Sequence, residues 1–207
     1  MGQKKAIHFK LEPIVKPKWK EDLLPPQACV EVRPITKPLE REMIIDIETT
    51  GLSPYESRLI CLSVKDLSVP EMPILTFYEP NEDDTLKSFI KYFESVKPTR
   101  LIGWGVGFDS KFLFAKLCAY RIRSPWWNEV EWLDLMEIFK KGTFKRVYTR
   151  QRDDKLDDVA RYLLGEGKML NFRQLLRAWK RKDIDLIIRY NRKDVELITN
   201  IYYIVRY

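Results

Sequence analysis

The chain contains one histidine, His8. That scarcity excludes a Ser-His-Asp triad, a Cys-His dyad and a multi-histidine zinc site, so any catalysis must lean on carboxylates, tyrosine, lysine or metal ions. The three cysteines, Cys29, Cys61 and Cys118, are odd in number, widely spaced and form no C-x-x-C pair. They fit buried free thiols in a reducing, cytoplasmic compartment better than a disulfide framework or a thiolate zinc site. No apolar run approaches the roughly 18 residues that would cross a bilayer, and no membrane role is expected. The opening MGQKKAIHFKLEP lacks the apolar segment of a secretory signal. Glycine is also scarce, with 8 residues in 207. Three of them, Gly103, Gly105 and Gly107, miss the G-x-G-x-x-G spacing of a dinucleotide cradle. They suit close approach of a backbone or a substrate instead.

Apolar residues make up 45% and aromatics 13% of the chain, which allows a sizeable core, and the net charge is +7. The positive balance favours a polyanionic partner. Six of the twelve prolines fall between Pro13 and Pro38. At that density long helices and central strands are prevented, so residues 1–40 read as an extended basic arm and 41–207 as the folded domain. MIIDIET, RLICLSVKD, PILTFYE, TRLIGWGVGF and EVEWLDL alternate or run apolar in the manner of five strands. The stretch from Asp83 to Lys97 places Leu86, Phe89, Ile90 and Phe93 at helical spacing, with Asp83 or Asp84 as its cap. A helix is expected from Ser110 to Arg121, and another, short one after Asp134 as cap. KLDDVARYLLG, NFRQLLRAWK and the stretch from Asp183 to Val205 complete the chain as helices. This order predicts a three-layer α/β domain with a mixed sheet.

Within IIDIETTGL, residues 44–52, Asp46 and Glu48 are two apart and share one strand face. Unpaired, two buried carboxylates repel each other and resist desolvation; a divalent cation relieves both costs. A second D-x-E, Asp194 and Glu196, lies in a helical stretch, where about 200° separates the two side chains. Asp194 instead interrupts an apolar stripe of Ile187, Ile198 and Ile201, with Tyr190 one turn before it. Asp109 stands where a strand gives way to a helix, a place that also suits an N-cap.

These residues resemble the three motifs of the DEDD exonucleases, a branch of the ribonuclease H-like superfamily. D-x-E-T-x-G-L matches Asp46, Glu48, Thr49, Gly51 and Leu52. F-D matches Phe108 and Asp109, and Y-x-x-x-D matches Tyr190 and Asp194. The histidine subclass would carry His where Arg189 stands, so the likeness is to the tyrosine subclass. It is greatest to the proofreading domain of family B DNA polymerases, and it spans roughly residues 42–204. LDDVARYLLGEGK and YNRKDVELI share in it. The chain is too short for the polymerase palm and fingers, which suggests a free-standing nuclease.

The resemblance implies a ribonuclease H-like sheet of about five strands and 3′–5′ hydrolysis of phosphodiesters with two divalent cations, Mg²⁺ or Mn²⁺. In it, Asp46 would bridge both ions. Glu48 and Asp194 would hold the one that activates water, Asp109 would support the second, and Tyr190 would orient the water. Thr49, Thr50, Gly51, Leu52, Trp104 and Phe108 would contact a strand with a 3′ end, single-stranded DNA being favoured. A replication or repair protein is the expected protein partner. One departure is Trp104, where the family usually has Asn. Lys140, Lys141, Lys145, Arg146, Arg150 and Arg152, interleaved with Phe144 and Tyr148, offer phosphate and base contacts, or else form a solvated hairpin. Two other readings stay open: a nuclease-like domain that binds nucleic acid or a protein without cutting, and a structure-specific endonuclease on the same fold.

Overall fold

The computed structural model describes residues 40–141 and 155–206. The proline-rich arm up to residue 39, and the basic stretch from 142 with Lys145 and Arg146, lie outside the described residues.

Five strands form one sheet in the order β3-β2-β1-β4-β5. The central strand β1 (Glu42–Thr49) pairs antiparallel with β2 (Leu59–Asp66) and parallel with β4 (Arg100–Gly103). β3 (Leu75–Phe77) and β5 (Glu131–Asp134) form the edges. The mixed sheet expected from the sequence is present.

Alternation along β1 sorts its side chains between two layers. Met43, Ile45 and Ile47 face one core with Leu86, Phe89 and Phe93 of α1 (Glu82–Val96) and Phe112 and Leu113 of α2 (Gly107–Ala119). Ile44 faces the other core, beneath α4 (Leu156–Leu164) and α6 (Ile184–Val205). α5 (Phe172–Lys180) covers Ile60 and Cys61 on that side through Leu175 and Ala178. Each such side chain, fully buried, contributes about 1.5–3 kcal/mol. Because both faces are covered, Asp46 and Glu48, in phase with Ile44, point into the α6 layer.

α6 runs back along β1 and is tied to it twice. Asn191 Nδ2 donates to Asp46 Oδ2 at 2.7 Å, and Tyr202 donates its hydroxyl to Glu42 Oε2 at 2.7 Å. Glu42 also pairs with Arg100 at 2.7 Å, so its buried charge is compensated.

Several boundaries differ from the sequence reading. β4 stops at Gly103 and α2 begins at Gly107, earlier than Ser110. Gly103 lies so close to β1 that a Cβ would stand 3.0 Å from the Ile45 carbonyl oxygen, and Gly105 takes φ +69°, which ends the strand. The N-cap of α1 is Asn81; Asp83 and Asp84 occupy the first turn, where they favour the helix dipole and pair with Lys87. Asp134 acts as expected: its Oδ1 accepts from Met136 N at 3.0 Å at the start of α3 (Leu135–Lys141) and also holds Gly105 N at 2.8 Å. Cys61 is a buried free thiol, but Cys118 is exposed on the outer side of α2, and Cys29 lies outside the described residues. Among the described residues no helix is long and apolar enough to cross a membrane.

Candidate metal centre

The site forms where β1 ends. β1 and β2 change register between Glu48 and Thr49, and such a bulge re-aims the side chains beside it. Asp46 and Glu48 meet Asp194 of α6 here, and one carboxylate oxygen from each lies within 4.8 Å of the others. Asp194 is fully buried and its Oδ1 has no hydrogen-bond partner among the described residues. Glu196, the other half of the helical D-x-E, is exposed on the far side of α6.

Asp109 is buried in the first turn of α2 but stands outside this group of three. It does not cap its helix. Its Oδ1 accepts from the backbone N–H of Ile47 at 3.1 Å, which pins α2 to β1 beside Asp46.

The charges are strongly coupled. Burial, then Asp194, raises the Asp46 carboxyl from an ordinary 3.8 to about 7. Burial, then Asp46 and Asp194, pushes Glu48 well above its usual range, and burial with Asp46 does the same to Asp109. Burial also raises Asp194, although Lys168 pulls the other way from 2.6 Å. Lys168 comes from the connection between α4 and α5 and also lies 5.0 Å from the centre of the Tyr190 ring. Burial disfavours its charge, but Asp194, Tyr190 and Asp46 outweigh that and hold the ammonium above its ordinary value. Burial, then Glu48 and Asp194, raises the Tyr190 phenol above its ordinary value, so it is a proton donor at neutral pH and stays one well into the alkaline range. The neighbouring Cys61 thiol is raised by burial and by Glu48, so it is no nucleophile here.

Fully ionised, this group would carry more negative charge than one ammonium offsets in a low-dielectric site, and the raised Asp46, Glu48 and Asp109 carboxyls hold protons instead until another cation takes their place. An all-oxygen donor set with an orphaned buried oxygen is what a hard divalent cation takes, so the residues fit such an ion.

The site opens into a cleft of about 1050 Å³ lined also by Leu52, Trp104, Phe108, Lys155, Met169 and Phe172. Leu52 is 77% exposed at its rim. Phe108 packs at a tilt against Phe112 with ring centroids 5.6 Å apart, and Trp104 likewise against Phe139 at 5.3 Å. Trp104 therefore serves both as part of the α3–α6 core and as cleft wall. Thr49 and Thr50 turn inward: Thr49 Oγ1 donates to Gly51 O at 2.8 Å, and Thr50 Oγ1 accepts from Arg58 N at 2.8 Å. They shape the loop that presents Leu52.

Sequence reasoning gathered Asp46, Glu48, Asp109, Tyr190 and Asp194 but missed Lys168 and Asn191. Asn191 is fully buried; besides Asp46 Oδ2, its Nδ2 reaches the Asp46 carbonyl at 3.2 Å. A signal for it existed, since an asparagine four residues after Ile187 and three before Asp194 falls on the buried side of the helix and needs a partner.

A sequence profile of the RNase H superfamily matches residues 43–206. DNA polymerase II of Escherichia coli is 26% identical over 92% of this chain and 29% of its own length. An uncharacterised protein of Methanocaldococcus jannaschii is 30% identical over 58% of this chain and 64% of its own. This chain therefore spans less than two thirds of either relative. Among solved structures, the family B DNA polymerase of Pyrobaculum calidifontis shares the fold with a TM-score of 0.64 at 19% identity, over 80% of this chain and 24% of that one.

Proposed function

The chain belongs to the RNase H superfamily, and from that footing we propose that it is a metal-dependent 3′–5′ exonuclease, with single-stranded DNA as the favoured substrate. The observation that carries this reading is the convergence of Asp46, Glu48 and Asp194, whose Oδ1 is left without a hydrogen-bond partner among the described residues, on one cleft, with Tyr190 beside them. The likeness to DNA polymerase II supports a nucleic-acid substrate.

Asp46, Glu48 and Asp194 would hold one divalent cation, and Asp46 with Asp109 a second. Bound there, such ions supply Lewis-acid polarisation of the scissile phosphate and a lowered pKa for the attacking water. The protein does the rest. Tyr190, kept protonated, can donate to the water and fix its lone pair toward phosphorus. Asn191 holds Asp46 in one orientation through two contacts from a single amide nitrogen. Lys168 restrains Asp194 and adds positive charge next to the phosphate's path. Leu52 and Phe108 at the rim present apolar surface to the terminal bases, and Trp104 supplies a ring where the family usually has an amide.

The test is digestion of end-labelled single-stranded and duplex DNA and RNA with Mg²⁺ or Mn²⁺, with an EDTA arm and Asp46→Ala as control. Stepwise shortening from the 3′ end is expected, lost in EDTA and in the variant. Cleavage undiminished by chelator would sink the metal-dependent reading. Binding without cleavage would favour the non-cutting alternative, and internal cuts the endonuclease.

A further inference from the structure

From Lys168 to Lys182 the chain has fifteen residues, six of them basic and none acidic. α5 spans most of this stretch. Its apolar side, Leu175 and Ala178, is locked against Ile60, Ile187 and Tyr190. Asn171 and Gln174 close a capping box at its start, so the helix is held firmly at both its end and its inner face. The outer side carries Arg173, Arg177 and Lys180, which at about 100° per residue fall within an arc of about 60°. Arg181 follows at the C-cap, roughly 12 Å along the axis from Arg173. All are exposed, and among the described residues none is paired with a carboxylate.

The basic residues at the C-terminal end have an ordinary explanation, because cations there complement the helix dipole. Arg173 has none. It stands in the first turn, where a cation opposes the dipole, and that turn holds no acidic residue to offset it. The row also begins at the cleft. Met169 and Phe172, both about half exposed, line the same cleft as the carboxylates, and Arg173 directly follows Phe172 in the chain.

We propose that the outer face of α5 is a phosphate track for the single strand whose 3′ end lies at Asp46, Glu48 and Asp194, with Arg173, Arg177 and Arg181 contacting its backbone. The proposal rests on the nuclease reading for the direction of the strand. Met169 and Phe172 are the apolar step on which bases pass from the cleft to the track. Contacts of this kind carry no sequence information; they set register and salt dependence.

Each phosphate contact on a single strand adds about 0.7 to the slope of log affinity against log salt, so three contribute about 2. Fluorescence anisotropy of a 5′-labelled oligothymidylate of about 20 nucleotides, in EDTA so that it stays intact, measures that slope. R173A/R177A/R181A should lose about 2 from it, so that between roughly 50 and 200 mM salt wild-type affinity falls about 20-fold further than the variant's. R173K/R177K/R181K should keep the wild-type slope. If the alanine variant fails to fold, R173Q/R177Q/R181Q carries the same test. An unchanged slope in a folded neutral variant overturns the track. An unchanged slope together with lost binding of a polyglutamate peptide overturns it in favour of an acidic protein partner. Cleavage of the same oligomer by the wild type in Mn²⁺ is scored separately. A slope that drops as expected without cleavage keeps the track and sinks the exonuclease, whereas cleavage with an unchanged slope does the reverse.

Discussion

Asp46→Asn keeps the shape of the side chain and an oxygen that can accept from Asn191, while removing one charge from the cluster. In the metal-free protein the Asp46 carboxyl is raised from 3.8 to about 7, by burial first and Asp194 second. The unfolded chain releases that proton near its ordinary value, whereas the folded chain holds it about three units longer. Between those values the unfolded state binds fewer protons. Stability from this group is therefore complete below pH 4 and is lost as pH rises through 7. At 1.36 kcal/mol per unit the ceiling is about 4 kcal/mol. Asp46 keeps a solvent-facing edge and Lys168 offsets part of the repulsion, so about 2 kcal/mol is the working expectation. For a chain of 207 residues that is about 4–8 °C. Calorimetry in EDTA from pH 4 to 8 should show equal melting temperatures at the acid end and a growing advantage for Asp46→Asn toward pH 8. Mn²⁺ should reverse the order, since about 2.7 kcal/mol accrues to a protein at 100 times its Kd and the variant has lost a ligand. A variant that melts below wild type in EDTA at pH 8 would refute the picture and make Asp46 a structural residue.

Lys168→Met should act in opposite directions on two readouts. Without its partner Asp194 becomes an uncompensated buried charge, so metal-free melting at pH 8 should fall by several degrees, while Mn²⁺ affinity by calorimetric titration should tighten. A weaker Mn²⁺ affinity would mean that Lys168 holds the ligands in place rather than competing with the ion. Tyr190→Phe removes one hydroxyl and keeps the packed ring, so turnover should drop at least tenfold with Mn²⁺ affinity nearly unchanged; equal turnover would return Tyr190 to the core alone. Trp104→Ala removes the tilted ring contact with Phe139 and should cost about 2–3 kcal/mol, and Trp104→Phe should restore most of it. An unaltered melting temperature would show that the ring serves only the cleft.

Where the sequence was informative, one physical rule decided each element. Period-two alternation from Ile44 to Glu48 put both carboxylates on one face, and the stripe from Ile187 through Asp194 to Ile201 put the third carboxylate on the buried side of α6. Topology then brought the two together, and no local pattern states that β1 and α6 lie side by side. Lys168 was invisible for the same reason: a loop lysine has no periodicity, and only the return of the chain between α4 and α5 places it at Asp194. Asp109 was found as a residue but not in its contact, because the helix start permitted an N-cap and the nearer donor was an amide of another strand. Trp104, which the resemblance puts against the substrate strand, stands half-buried beside Phe139 and also lines the cleft, a double placement that no local pattern states.

The two fastenings of α6 to β1, Asn191 to Asp46 and Tyr202 to Glu42, lie far apart along the helix, eleven residues or about 16 Å. A helix fixed at one point can pivot; one fixed at two such points cannot rotate or slide against its strand without breaking a buried hydrogen bond. The strand that carries Asp46 and Glu48 and the helix that carries Asp194 therefore move as one body. Amide protons of Ile45 and Ile198 should exchange with solvent in a single cooperative opening, whereas the Leu52 loop opens separately and at lower cost. Fluctuations that admit and release a strand are thereby confined to the cleft rim, and the spacing of the three carboxylates is insulated from them.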